Sequence, residues 1–299
     1  MPDISQNDFL GLREIDLFGL LYDYKKIIST GISEPFLKNL KNTFGRYGLK
    51  YDVLDESFDY QGRGKIYLIA KKKRYLERTK KAYKSRQFDL VGKYLGYPEC
   101  CVRFYYKKFL KAPSSSDNLL RNIYHNSNNF SWRLNNILNF EGRIKGRNTP
   151  KEFTSFVQKT SSISLISHSP CSYNCKESLK IANLNQRYLF FHNRAHLNDY
   201  AILKKPILYL DDFHFIIFEG NSGEDFIRYR KLLVYLGLEQ SKDYFLKGDS
   251  LKIDNNSALI FKDEREVAKK SYDKKILILP FDRLIGSYAK EKITLSFLA

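Results

Sequence analysis

The chain has 299 residues, of which 43% are hydrophobic and 15% aromatic, and its formal net charge is +18. This length suffices for one large domain or two ordinary ones with a sizeable apolar core. No stretch approaches the ~20 uncharged apolar residues of a membrane span, and the first residues lack the charge pattern of a secretory signal. We therefore expect a cytoplasmic protein with no membrane association, whose basic balance favours RNA or another polyanion as partner.

Apolar residues at helical spacing predict a first helix over residues 9–28 and a second over residues 34–47. The segments "LKYDVLD" and "KIYLIA" predict two short strands, separated by the turn-rich "DYQGRGK". The N-terminal part therefore has the pattern of a small α/β unit.

Residues 71–86, "KKKRYLERTKKAYKSR", carry nine Lys or Arg against one Glu. Tyr75 and Tyr83 lie among these charges, a combination that suits phosphate contact with base stacking. A solvated helix face or a charged linker is the alternative interpretation. We assign residues 1–85 to an N-terminal α/β unit with a basic linker helix, and residues 86–299 to a cysteine-motif domain with a C-terminal sheet.

The C-terminal third predicts strands at "ILYL", "FHFIIFE", "SALIFK" and "KILILPF", with a helix over residues 223–238. The expected fold class is α+β. It combines a helix-rich N-terminal and central part, containing a small strand pair, with an antiparallel or mixed sheet in the C-terminal third.

The four cysteines occur in two proline-led pairs, "YPECC" and "HSPCSYNC". Pro98 suits the first position of a helix, which places Cys100 and Cys101 in its first turn. Cys171 and Cys175 follow a predicted strand at residues 162–167 and open a helix capped by Ser172 or Asn174. Unpaired backbone N–H groups and the helix dipole stabilise thiolates at both places.

Thiolates that converge at two helix ends repel one another unless a cation lies between them, so zinc or a 4Fe-4S iron-sulfur cluster is the expected cofactor. Adjacent side chains on a regular helix diverge by about 100°, so a single zinc predicts that one of Cys100 and Cys101 packs in the core. His168 would then replace it as a ligand. Buried cysteines that pack as small hydrophobes, or a metal-free thiol site, are the alternatives.

Glu99 and Glu177 each lie beside a cysteine pair and are the candidates for proton transfer. Acids that only complement the dipole of a helix first turn are the alternative. Weaker candidates for a metal or acid–base role are His192, His196, Asp211, Asp212 and Glu219.

The segments "GKYLGYPECCVRFYYKKFL" and "HSPCSYNCKESLKIA" resemble the paired motifs of an archaeal and bacterial group, domain of unknown function family 483. The likeness covers residues 87–220. It implies that the family's functional positions are Cys100, Cys101, Cys171, Cys175 and His168. It supplies no reaction.

Together these observations favour a metal- or iron-sulfur-dependent enzyme that acts on an anionic substrate, either RNA or a phosphorylated metabolite. The alternatives are a nucleic-acid-binding module with a structural zinc and a cysteine thiol enzyme in which one thiol attacks and its neighbour resolves.

Overall fold

The computed structural model describes residues 12–58, 64–110, 119–139, 163–192, 195–211, 214–223 and 225–281. The chain divides into two compact units. The cysteine unit comprises Met1–Pro113, Asn136–Cys171 and Cys175–Asp199, and the sheet unit comprises Ser114–Asn135, Ser172–Asn174 and Tyr200–Ala299. The boundary near residue 86 stays a prediction about which parts fold independently.

The cysteine unit contains a three-stranded antiparallel sheet, in the order β1-β3-β2, with helices packed around it. Its elements are α1 (Glu14–Leu21), β1 (Ile28–Ser33), α2 (Glu34–Arg46), β2 (Lys50–Phe58), β3 (Gly64–Ala70), α3 (Lys73–Lys84), α4 (Phe88–Tyr94), α5 (Glu99–Tyr105), a π-helical turn (Tyr106–Leu110) and α7 (Lys176–His192). The predicted strand pair is confirmed as β2 and β3, and the second predicted helix is confirmed as α2.

The first predicted helix is shorter than expected. It ends at Leu21, because Asp23 adopts a left-handed conformation with φ of 65° and the N–H of Lys25 returns to the carbonyl of Gly19. Ile28, the last residue of the predicted helix, instead begins β1, an edge strand that pairs with β3.

The strand predicted at residues 162–167 is wrong for its described part, residues 163–167, which are irregular. Leu165 and Ile166 are fully buried, so the apolar run does belong to the core. Their carbonyls accept hydrogen bonds from the side-chain amides of Asn185 and Asn139. Side chains thus satisfy backbone groups that a neighbouring strand would otherwise pair.

The sheet unit is built on a seven-stranded antiparallel sheet in the order β10-β4-β5-β6-β7-β8-β9. Its elements are α6 (Leu119–His125), 3-10 turns at Trp132–Leu134 and Glu239–Ser241, β4 (Ile207–Asp211), β5 (His214–Ser222), β6 (Phe226–Leu236), α8 (Lys242–Phe245), β7 (Ser250–Asp254), β8 (Ser257–Lys262), β9 (Arg265–Ser271) and β10 (Leu277–Leu279). A further 3-10 segment, Ala195–Lys204, begins in the cysteine unit and ends in the sheet unit. The α+β class is confirmed. Within the described residues, no helix combines the length and apolarity needed to cross a bilayer.

The helix predicted over residues 223–238 is wrong, because this segment forms β6 and pairs with β5 and β7. The pairing with β5 skips Arg230 and Leu233 at two irregularities. Each extra residue resets the two-residue alternation of a strand, so the apolar positions fall at spacings that imitate a helix.

Gly96 connects α4 to the first cysteine pair, and its backbone requires a residue without a side chain. Its φ is +74°, and a Cβ atom there would lie 2.6 Å from the carbonyl oxygen of Tyr24. Gly48 has a similar φ of +62° but has no atom within 4 Å of such a Cβ. A side chain at either position would be strained by the left-handed backbone, but only at Gly96 would it also collide with another atom.

We expect Gly96→Ala to lower the free energy of unfolding by ~3 kcal/mol, and the matched Gly48→Ala to lower it by ~1 kcal/mol, the cost of left-handed strain alone. Chemical denaturation of both variants measures the difference. Equal losses would show that the chain at Tyr24 does not confine Gly96.

Candidate metal centre

Cys100 and Cys101 are positioned by the sharp turn between α4 and α5. The N–H of Tyr97 bonds to the carbonyl of Gly92, which ends α4, and Pro98 takes the capping position of α5. The carbonyl of Pro98 accepts the N–H groups of Cys101 at 2.9 Å and Val102 at 3.0 Å. The two cysteines therefore occupy the first turn of α5, as predicted.

Cys175 lies at the start of α7, which begins at Lys176 rather than at the predicted cap residues Ser172 or Asn174. Its carbonyl accepts the N–H of Leu179, and the backbone of Ser178 hydrogen-bonds its sulfur. The thiol thus does what a serine or asparagine side chain does at most helix starts. This capping fixes the sulfur at the mouth of the helix.

Aromatic packing and one amide hold α7 against α1. The rings of Tyr22 and Tyr188 stack with centroids 4.1 Å apart. The side chain of Asn185 contacts the hydroxyl of Tyr24 and donates to the carbonyl of Leu165 at 2.8 Å. The helix that carries Cys175 is therefore fixed along its length by buried contacts.

The structure brings all four cysteine sulfurs together, within 4.8 Å of one another. The sulfur of Cys100 lies 3.8 Å from that of Cys101 and 3.7 Å from that of Cys175, and the sulfurs of Cys101 and Cys175 are 3.7 Å apart. Among the described residues, these four form the only group of metal-ligating side chains found at such spacing. The arrangement is one that can hold a metal ion.

Hydrogen-bond donors reach two of the sulfurs directly. Cys101 Sγ accepts the N–H of Cys171 at 3.3 Å and lies 3.2 Å from the hydroxyl oxygen of Ser178, while Cys175 receives the Ser178 backbone N–H. Bonds from Cys101 and Cys171 hold the pKa of the Cys175 thiol well below its usual range. Hydrogen bonding to Cys171 and Cys175, followed by burial, raises the pKa of Cys101. Without a cation, the cluster thus favours one thiolate that its neighbouring thiols stabilise.

His168 lies one contact away from the sulfurs. Its Nε2 is 2.8 Å from the hydroxyl of Ser178, which in turn contacts Cys101. Burial, followed by the charge of Lys25, lowers the pKa of His168 to about 3, so the ring is neutral at physiological pH. Its direct ligation of a metal stays a prediction, and the contact observed is that of a residue that orients Ser178.

A buried ionic network lies on the His168 side of the centre. Lys25, 3% exposed, contacts Asp16 Oδ1 and the hydroxyl of Ser167 at 2.5 Å each, and Arg13 pairs with Asp16 at 2.8 Å. Burial alone would raise the pKa of Asp16, but Arg13 and Lys25 hold it well below its usual range. Lys25 therefore remains a paired cation beneath the loop that carries His168.

Glu99 and Glu177 lie with Cys100 around one open cleft of about 420 Å³. Glu99 is paired with Arg103 at 3.8 Å, and Glu177 with Lys180 at 2.8 Å. Their proposed proton-transfer role stays a prediction. The cleft itself shows that Cys100 is accessible from outside the unit.

The weaker candidates make contacts of their own. His192 ends α7 and shares a hydrogen bond of 3.0 Å with the hydroxyl of Tyr22. In the sheet unit, the buried carboxylate of Asp211 pairs with His214 and Lys274, each at 2.7 Å, while Glu219 is exposed. The side chain of His196 and the whole of Asp212 lie outside the described part of the chain.

Sequence analysis missed Ser178 and Lys25. Ser178 follows Cys175 by three residues, the spacing at which a capping residue meets the third N–H of its helix, so that signal was present. Lys25 sits among other charges near the N-terminal end and no pattern marks it as buried.

We expect His168 to make stability depend on pH. The unfolded chain binds a proton at this residue below about 6.5, whereas the folded chain does not until about 3, so stability rises with pH across this window and is lost as the pH falls. Between about pH 7 and about pH 5 the loss is ~2 kcal/mol.

The matched variant His168→Gln keeps a group that can contact Ser178 but does not titrate. Urea unfolding of both proteins across this pH range should show the extra loss only with histidine present. Parallel curves would contradict a neutral buried imidazole.

Comparison of the chain with protein-family models, curated proteins and solved structures finds no match. The resemblance of the two cysteine segments to domain of unknown function family 483 therefore stays a prediction. What bears on function is the geometry of the four sulfurs and the cleft beside them.

Proposed function

We propose that the protein is a zinc-dependent enzyme whose centre is a single ion held by Cys100, Cys101, Cys171 and Cys175, acting on an anionic substrate of the RNA or phosphorylated-metabolite class. The observation that carries the proposal is the spacing of the four sulfurs together with the cleft at one of them.

The sulfur spacing favours one ion over a cluster. In a regular tetrahedron with zinc–sulfur bonds of about 2.3 Å, the sulfurs are about 3.8 Å apart. Three sulfur pairs lie at 3.7 to 3.8 Å. A 4Fe-4S cluster binds each cysteine through a different iron, which spreads the sulfurs beyond this contact distance.

The cleft favours an enzyme over a purely structural zinc. Four cysteines are the ligand set of many structural zinc sites, and the feature that distinguishes this centre is an open cleft beside one of its sulfurs. Cys100 is only partly buried and lines the cleft with Glu99 and Glu177. Both acids are within the same cavity as the sulfur, which is where a proton donor or acceptor is needed.

Exposed cations on α3 support an anionic substrate. One face of this helix is buried through Leu76, Thr79 and Ala82, and the opposite face presents Arg74, Arg78 and Lys81 to solvent. Such a row of cations attracts phosphate groups over several ångströms. The family resemblance adds that the cysteine segments are functional positions.

Metal analysis tests the centre. We expect protein purified without oxygen to contain about one zinc per chain, and its cobalt(II) form to show the intense absorption of tetrahedral thiolate coordination. Cys101→Ser should lower metal affinity at least ~10-fold, because it removes a buried ligand.

Two results would contradict the proposal. A brown protein with about four irons per chain would establish the cluster instead. Fully reduced protein that binds no metal would leave the metal-free thiol enzyme.

A nucleic-acid-binding module with a structural zinc is the second candidate, and the basic face of α3 is the observation that favours it. We expect Arg74→Ala, Arg78→Ala and Lys81→Ala together to weaken binding of single-stranded RNA. The slope of log affinity against log salt should fall by about 2, since each lost phosphate contact removes about 0.7.

The matched control removes the same charge from β9 and its hairpin, through Lys262→Ala, Arg265→Ala and Lys269→Ala, all exposed positions. Fluorescence anisotropy titrations at several salt concentrations measure both variants. Equal losses would indicate that net charge, rather than α3, binds RNA.

A further inference from the structure

We infer that Cys100 is the nucleophile of the metal centre and that it accepts an uncharged alkyl group from its substrate. The inference rests on the proposed zinc centre and deepens it by naming the reacting atom and the class of donor. Three independent features of the site lead to it.

The first feature is the distribution of hydrogen bonds. Cys101 and Cys175 accept bonds from N–H or O–H groups of Cys171 and Ser178. Among the described residues, the hydrogen bonds of Cys100 Sγ are only to the sulfurs of Cys101 and Cys175. A hydrogen bond from an N–H or O–H group withdraws electron density from a thiolate and lowers its nucleophilicity, so Cys100 is expected to be more reactive than Cys101 and Cys175.

The second feature is access. The cleft beside Cys100 has a volume of about 420 Å³, room for a small substrate group. Cys171, the other partly buried cysteine, is not among the residues that line this cleft. Cys101 and Cys175 are buried, so a substrate entering the cleft meets the sulfur of Cys100 first.

The third feature is charge. One Zn²⁺ held by four thiolates carries a net charge of two minus. The charged groups around the cleft cancel in pairs, Glu99 with Arg103 and Glu177 with Lys180. The centre therefore repels an anionic electrophile and accepts an uncharged one. The anionic part of the substrate would instead contact the exposed cations of α3.

The reaction balances without an added oxidant or reductant. A lone pair of the Cys100 thiolate forms a sulfur–carbon bond, the bond from that carbon to its leaving group breaks, and the leaving group departs with the electron pair. No proton moves. The centre becomes one charge less negative, and Cys100 becomes a thioether.

Iodoacetamide and iodoacetate test both parts of the inference, because they share a reacting carbon and differ in one negative charge. Zinc-loaded protein is treated with limiting reagent, and peptide mass mapping identifies the alkylated cysteine while zinc is measured in the same sample. We expect Cys100 to react first, at least ~10-fold faster than the other three cysteines. The preference for iodoacetamide over iodoacetate should exceed that of N-acetylcysteine at least ~10-fold.

Cys100→Ser loaded with zinc tests the assignment directly, and this variant should lose the fast reaction. Mapping of the unsubstituted protein needs no variant, so a failure of Cys100→Ser to fold or to hold zinc leaves the test intact.

A zinc-loaded sample in which another cysteine reacts first would overturn the assignment of Cys100. An unchanged iodoacetamide preference would overturn the uncharged donor. A sample without zinc would overturn the metal centre itself, whatever the alkylation pattern.

Discussion

Four sulfurs at contact distance cannot all be ionised unless a cation lies among them, and the cysteine unit is organised around this constraint. Two helix starts deliver three of the sulfurs, through the turn at Pro98 and the cap at Cys175, and the loop before α7 delivers that of Cys171. Backbone N–H groups and the hydroxyl of Ser178 offset part of the negative charge. If all four were ionised, the remaining charge would have to be balanced by a cation, and a metal ion would convert mutual repulsion among the thiolates into four bonds.

The surroundings of the centre separate a positive side from an open side. Lys25 is buried beside His168, and its charge, together with burial, keeps the imidazole neutral. Asp16 and Arg13 in turn keep Lys25 paired within the core. A neutral His168 can orient the hydroxyl of Ser178 toward Cys101, as residues that hydrogen-bond the ligands do at many metal sites. The Cys100 side instead borders the open cleft.

The sequence predicted the elements wherever one local pattern dominated. Pro98 and Gly96 mark the turn before α5, and the α+β class followed from the apolar segments of the C-terminal third. Sequence patterns gave the wrong element where pairing with a distant segment determined the local structure. The irregular pairing of β6 gave a strand the apolar spacing of a helix. The side chains of Asn185 and Asn139 donate hydrogen bonds to buried backbone carbonyls that would otherwise need a partner strand. Such partners are far apart in sequence, so no local window contains them.

The site was predictable as a set of residues but not as a geometry. The proline-led pairs predicted Cys100, Cys101, Cys171 and Cys175 as site residues. Because adjacent side chains on a helix diverge by about 100°, we expected a single zinc to bind only one of the tandem cysteines. That angle describes the directions of the Cβ atoms, and each sulfur lies one rotatable bond further out. Rotation about that bond allows the two sulfurs to approach to 3.8 Å in the first turn of α5. A tandem pair at a helix start can therefore present one buried and one accessible sulfur to the same ion. Two cysteines a full turn apart on one helix face would not need this rotation to bring their sulfurs together.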